Sequence, residues 1–228
     1  ITVDATDQVH WNAILAAIGE AGARVLDATD RTFLVHAGGK KYPHDGTVRV
    51  HVRADADAPW TLSLRVPAWA DGAHLTLPGG GPAEPVPTGS VEIRRAFQAG
   101  DTVELRLPMA PRFTAADPRI DAVRGCLAVE RGPEVLCLES IDLAAASGGR
   151  LDDTAGVTLD ATVAPREVDG AVVVRLRSAG APSRDWPYGA AAESAGNGEL
   201  DVPLIPYHDW AERGPSTMRV WLPVDTHG

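Results

Sequence analysis

The chain has 228 residues, with 31 acidic against 21 basic side chains and a formal charge of −10. That length allows two domains of ordinary size, each with its own core. The acidic balance disfavours nucleic acid and anionic membrane as partners and leaves a neutral polar partner such as a glycan open.

Aromatic residues make up only 5%, while 23 Gly and 18 Pro point to many short strands and turns rather than a helical bundle. No run of about 18 apolar residues occurs, so no membrane-spanning helix is predicted. Ile1 is not an initiator, and no basic segment followed by an apolar core opens the chain. A targeting signal is therefore expected to be absent or removed.

Three parts are predicted, with boundaries at 1–40, 41–112 and 113–228. In residues 9–26 the apolar side chains Trp11, Ile14, Leu15, Ile18, Ala21 and Val25 recur at helical spacing, and Thr6 or Asp7 can serve as the N-cap. The first 40 residues are thus expected to be a short helical segment. From 42 to 109 the period changes to two. Val48, Val50 and Val52 alternate with Arg49, His51 and Arg53, and the same holds for Leu62, Leu64 and Val66 and for Val103, Leu105 and Leu107. Each set describes an antiparallel strand with one wet face. The stretch PGGGPAEPVPTG (78–89) is expected to be a loop, with strand resuming at 91–95. Asp45 with Gly46, and Gly100 with Asp101, are turn signals.

A second strand series is expected from near Ile120. Segments 126–130 and 134–139 flank Arg131, Gly132 and Pro133, and a Pro that cannot donate to a ladder bends or edges the pair. Residues 142–156 are expected to be a surface loop, and 157–163 and 171–177 further strands. Residues 178–198 read as a long irregular insertion, of the kind that is usually functional or disordered. Segments 200–207 and 218–222 close the domain. The fold class expected is all-β, two antiparallel β-sandwich domains preceded by the helical segment.

Residues able to carry chemistry are few. Cys126 and Cys137 are the only cysteines and lie in apolar alternating segments, so buried reduced thiols are preferred to a disulfide. No nucleophile elbow, phosphate-binding loop or dinucleotide fingerprint occurs. Asp152 and Asp153 are adjacent and read as a solvated pair. His208 beside Asp209 could be a base and its orienter, but neighbours on a strand face opposite ways, and a structural turn is preferred. Arg213, Gly214 and Pro215 form a turn whose Arg is placed to hold a carboxylate and whose Gly supplies a positive φ.

Trp186, Tyr188, Tyr207 and Trp210 fall in or beside loops of the second domain. Flat rings with a polar edge are what sugars stack on, so these four are the candidate carbohydrate contacts. The plainer reading, that Tyr207 and Trp210 pin their loop to the sandwich, is preferred. Trp60 and Trp69 flank an apolar strand and are read as core or domain-junction residues.

The segments LSLRVPAWA (62–70), LPM (107–109), GCLAVERGPEVLCLE (125–139) and PYHDWAERGP (206–215), the last leading into MRVWLP (218–223), carry a family resemblance. In that order, over roughly 42–225, the chain resembles the C-terminal β-domains of glycoside hydrolase family 127, the β-L-arabinofuranosidase-like enzymes. The resemblance implies a parent protein whose chemistry belongs to a helical barrel preceding these domains. There a cysteine thiolate would be the nucleophile, held at zinc by further cysteines and a glutamate, with another glutamate as general acid.

No catalytic residue of that set carries over to a position here, so no cofactor is expected in this chain and zinc is implied for the barrel alone. The expected function is a noncatalytic region that braces the barrel of the same protein and mediates a homodimer. The alternative is a carbohydrate-binding module, which needs exposed aromatics among the four candidates, so side-chain exposure decides between the two. The chain by itself is expected not to release sugar from aryl arabinofuranosides, even with zinc and reductant. Turnover that disappears in Cys126→Ala or Cys137→Ala would overturn this.

Overall fold

The computed structural model describes residues 45–52, 55, 58–178 and 198–224, and the backbone of 23–26 and 35–38. Among these the fold is all-β with one short helix. The chain divides into two compact units, Ile1–Met109 and Ala110–Gly228.

In the first unit the strands are β1 (Ala23–Leu26), β2 (Val35–Gly38), β3 (Thr47–Val52), β4 (Trp60–Val66), β5 (Ala73–Thr76), β6 (Glu84–Val86), β7 (Gly89–Arg95) and β8 (Thr102–Arg106). They form a three-stranded sheet, β1-β4-β7, and a five-stranded sheet, β2-β3-β8-β5-β6. Every pairing is antiparallel. The alternation predicted from sequence appears in β3, where Val48, Val50 and Val52 are buried and Arg49 is exposed. These valines share one core with Leu62 and Leu64 of β4 and Val103 and Leu105 of β8, so the two sheets enclose a common apolar layer. Each fully buried Leu contributes about 2 kcal/mol.

Ser63, on the face expected to be wet, is buried as well. It lies in the central strand of its sheet, and its hydroxyl pairs with that of Ser90 at 2.8 Å. Trp60 is buried with its ring centroid 4.5 Å from that of Phe97, and Trp69 packs partly buried against the same core.

Three expectations for this part are corrected. Residues 23–26 are not the end of a helix but strand β1, with Ala23 opposite Leu64 and Leu26 opposite Thr61; cross-strand pairing has overridden the local 3.6-residue spacing. Residues 35–38, placed in the helical segment 1–40, are strand β2. The rest of the predicted helix lies outside the described residues. The loop expected at 78–89 contains β6, which pairs with β5 at the sheet edge, where Pro85 costs no interior ladder bond.

The second unit contains β9 (Pro111–Ala115), β10 (Cys126–Arg131), β11 (Glu134–Glu139), α1 (Ser140–Ser147), β12 (Val157–Leu159), β13 (Arg166–Val168), β14 (Ala171–Ser178), β15 (Glu199–Pro206), β16 (Met218–Arg219) and β17 (Leu222–Pro223). The main path is β12-β14-β15-β11-β10-β17, with β13 on β14, β16 on β11 and β9 on β10. Its two ends meet in a parallel bridge between Leu159 and Val224, so the sheet folds round a single core that includes Val129, Leu138, Leu143, Leu159, Leu176 and Leu222.

The series begins at β9 rather than near Ile120, and β9 belongs with β10, inside the unit that starts at Ala110. The strand expected over 157–163 stops at Leu159. The hairpin of β10 and β11 turns on Gly132 and Pro133, with Gly132 at φ 56°. Between β13 and β14 the turn residues Asp169 and Gly170 sit at φ 51° and 84°, the twist that two-residue hairpins require. The loop expected at 142–156 is helical in its first half. The run SIDLAAAS suits a helix, buries Asp142 and Leu143, and ends at Gly148 in the left-handed conformation, φ 65°.

Gly46 makes one specific test of the first core. A Cβ there would lie 2.0 Å from the Leu107 carbonyl oxygen, while the Gly46 carbonyl accepts a hydrogen bond from the Leu107 N–H at 2.8 Å. Gly46→Ala is expected to cost about 1–3 kcal/mol through overpacking. Gly81→Ala, with nothing within 4 Å, is expected to stay within about 0.5 kcal/mol. Urea unfolding of the two variants checks this, and equal stabilities would refute it.

Candidate functional site

Strand β11 ends in a run of four buried residues, Leu136 to Glu139. Glu139 is wholly buried, and a carboxylate there is held only if its oxygens are bonded. Among the described residues its partners come from the segment between β15 and β16. Glu139 Oε1 accepts from the Ser216 hydroxyl at 2.5 Å and from the Ala211 N–H at 3.2 Å, and Oε2 accepts from the Arg213 guanidinium. The same guanidinium donates to both oxygens of Asp142, in the first turn of α1, with Nη1 to Oδ1 at 2.8 Å. Ser140 completes the seam, its N–H donating to the Thr217 carbonyl at 2.9 Å and its hydroxyl accepting from the Thr217 N–H at 3.1 Å.

The expectation that Arg213 holds a carboxylate is met, and Gly214 beside it has φ 130°. Sequence reasoning missed the partners. Asp142 fell in a stretch read as surface loop, and Glu139 closes an apolar run that carries no mark of an Arg 74 residues away. The single hint was a carboxylate standing at the end of a run otherwise dry.

Burial pushes the Glu139 pKa up, but the hydrogen bonds from Ser216, Arg213 and the Ala211 N–H outweigh it, and the net direction is down. Arg213 is raised by Asp142 first and Glu139 second. Cys137, buried on the same strand, is pushed up to about 11 by burial and then by the charges of Glu139 and Asp142. Its thiol is inert at neutral pH.

The loop held in this way presents two of the four candidate sugar contacts. Tyr207 opens a 3-10 turn, Tyr207–Asp209, and is 49% exposed; Trp210 closes it and is 40% exposed. Both residues are exposed in part, and Arg213, Ser216 and the Ala211 N–H hold the loop beside them. Trp186 and Tyr188 lie outside the described residues. His208 and Asp209 sit on a turn rather than a strand, and they do meet, Nε2 to Oδ1 at 3.2 Å, with both side chains largely in solvent.

Both cysteines are free, Cys126 half-buried and Cys137 buried. Among the described residues no three His, Cys, Asp or Glu side chains are grouped to hold a metal ion. Asp153 caps a short turn by accepting from the Ala155 N–H at 3.0 Å.

Residues 26–109 match the model of the β-L-arabinofuranosidase, GH127 middle domain, and residues 111–223 that of the glycoside hydrolase family 127 C-terminal domain. The match begins at residue 26, ahead of the start expected near Tyr42. A curated relative, the non-reducing end β-L-arabinofuranosidase of Bifidobacterium longum subsp. longum, is 34% identical over 196 residues, covering 79% of this chain and 29% of the relative.

Among solved structures, a GH127 β-L-arabinofuranosidase from Geobacillus stearothermophilus T6 is 29% identical with a TM-score of 0.69, covering 90% of this chain and 32% of that one. A structure titled glycoside hydrolase is 27% identical with a TM-score of 0.70, covering 89% and 34%. The chain spans about a third of the length of these relatives.

Glu139 and Arg213 both lie inside the C-terminal match, and their bond generates a pH-dependent expectation. The folded pKa of Glu139 is below its unfolded value, so the stabilisation is full above about pH 4.3 and is lost as pH falls through the lowered folded value. Arg213→Ala leaves two buried carboxylates without their cation. It is expected to cost about 3 kcal/mol near pH 7, the low end for breaking a buried pair because the guanidinium is partly solvated. The cost should be smaller in a second melt at about pH 2.5, since falling pH removes the Glu139 charge that Arg213 balances. Urea melts at the two pH values measure it, and an equal loss at both would contradict the assignment.

Proposed function

We propose, since this chain belongs to glycoside hydrolase family 127 and carries its middle and C-terminal domains, that it is the noncatalytic β-region of a longer β-L-arabinofuranosidase-like hydrolase. In this reading it braces a helical-barrel catalytic domain of the same protein and offers a face to a second copy. The observation that carries the proposal is the coincidence of the two domain matches, 26–109 and 111–223, with two units that each have their own dry core. A β-domain packed to that density is a rigid platform rather than a tether, and rigidity is what a brace supplies. The relatives, about three times as long, leave room for the domain that is braced.

Deleting the matching segment from the Bifidobacterium longum relative is expected to lower its melting temperature by about 5 °C or more and to reduce release of L-arabinofuranose in the same preparation. A truncated protein with unchanged melting and turnover would sink the bracing role. Sedimentation of the intact and truncated proteins tests the dimer, which the truncated form is expected not to make.

A further inference from the structure

Once the core and the Glu139 clamp are assigned, two large aromatics among the described residues of the second unit are exposed, Tyr207 and Trp210. We propose that the turn at 207–210 is a sugar-contact site for a neutral oligosaccharide with a terminal arabinofuranose. The site itself goes beyond the function proposed above; only the choice of sugar rests on it.

The two residues stand at the start and the close of one short turn. The Trp210 N–H donates to the Tyr207 carbonyl at 3.3 Å, and in a 3-10 turn residues i and i+3 fall on the same side. Each ring is able to stack an apolar sugar face while its polar edge reaches a hydroxyl. Around them His208, Asp209 and the exposed Glu212 supply donors and acceptors for further hydroxyls. The His208 and Asp209 side chains are 64% and 45% exposed.

The turn is also pre-organised. Ala211 sits at φ 66°, a strained conformation for a residue with a Cβ. It is held there by the bond from its N–H to Glu139, with Arg213 and Ser216 fastened to the same carboxylate. A loop locked before binding loses little entropy when a ligand arrives.

Size and charge decide the occupant. At the exposures of Tyr207 and Trp210, the two rings offer roughly 200 Å², far below the ~800 Å² per partner of a stable protein interface. They match one or two sugar rings. The chain's charge of −10 and the nearby Asp209 and Glu212 disfavour an anionic ligand.

The test is isothermal titration calorimetry of the full chain with an oligosaccharide ending in β-L-arabinofuranose, beside a xylo-oligosaccharide of equal length. The expected result is a dissociation constant below about 1 mM for the former, weakened about tenfold or more in both Tyr207→Ala and Trp210→Ala, each variant retaining the wild-type melting temperature. No heat of binding up to about 10 mM, or binding indifferent to both substitutions, would overturn the site. Self-association that Trp210→Ala abolishes, without sugar binding, would overturn it in favour of a protein interface. Binding of the xylo-oligosaccharide alone, still lost in the variants, would support the site and overturn the arabinofuranose reading.

Discussion

A carboxylate with no access to water at the end of a core strand is the constraint around which the second unit is arranged. Glu139 must have its oxygens bonded where it sits, and among the described residues the groups that reach it come from the segment after β15. That segment must therefore leave β11 after Pro206, turn, and come back to pair with it at Met218. The left-handed Ala211, the orientation of Arg213 and the burial of Asp142 all follow from satisfying this one group. A hydrophobic residue in its place would cost less desolvation, so what the buried ion pair contributes is a defined loop conformation rather than net stability.

The consequence for function is a division of labour within the loop. Arg213, Ser216 and the Ala211 N–H face the carboxylate and hold the chain, while Tyr207 and Trp210, a few residues earlier, are exposed in part. A loop whose aromatics fastened it down would have none to offer. The two sequence segments that carried much of the family resemblance, 125–139 and 206–215, are thereby joined by direct bonds.

The first unit works differently. Its two sheets are held by a continuous apolar layer, and among the described residues its ion pairs have an exposed Arg side, as in Glu104 with Arg49 and Arg106. Charges of that kind, largely solvated on the Arg side, add little. Its rigidity comes from packing, shown in the tight approach of Gly46 to Leu107, whereas the second unit adds a buried polar network to the same strategy.

Period-two alternation was sufficient to place β3, β4 and β8, because alternate side chains of each strand enter the core, and that pattern is written residue by residue. Family membership was legible for a related reason: a turn that must hold one conformation restricts Arg213 and Gly214 tightly enough to be recognised. Tertiary structure alone decided the remainder. Helical spacing through Val25 gave way to pairing with β4, since a short amphipathic segment gains more from completing a sheet than from its own hydrogen bonds. The partners of Arg213 and the exposure of Tyr207 and Trp210 were equally hidden. Each depends on which side chain lies across a gap of some 70 residues, and local patterning carries no information about contacts closed over that distance.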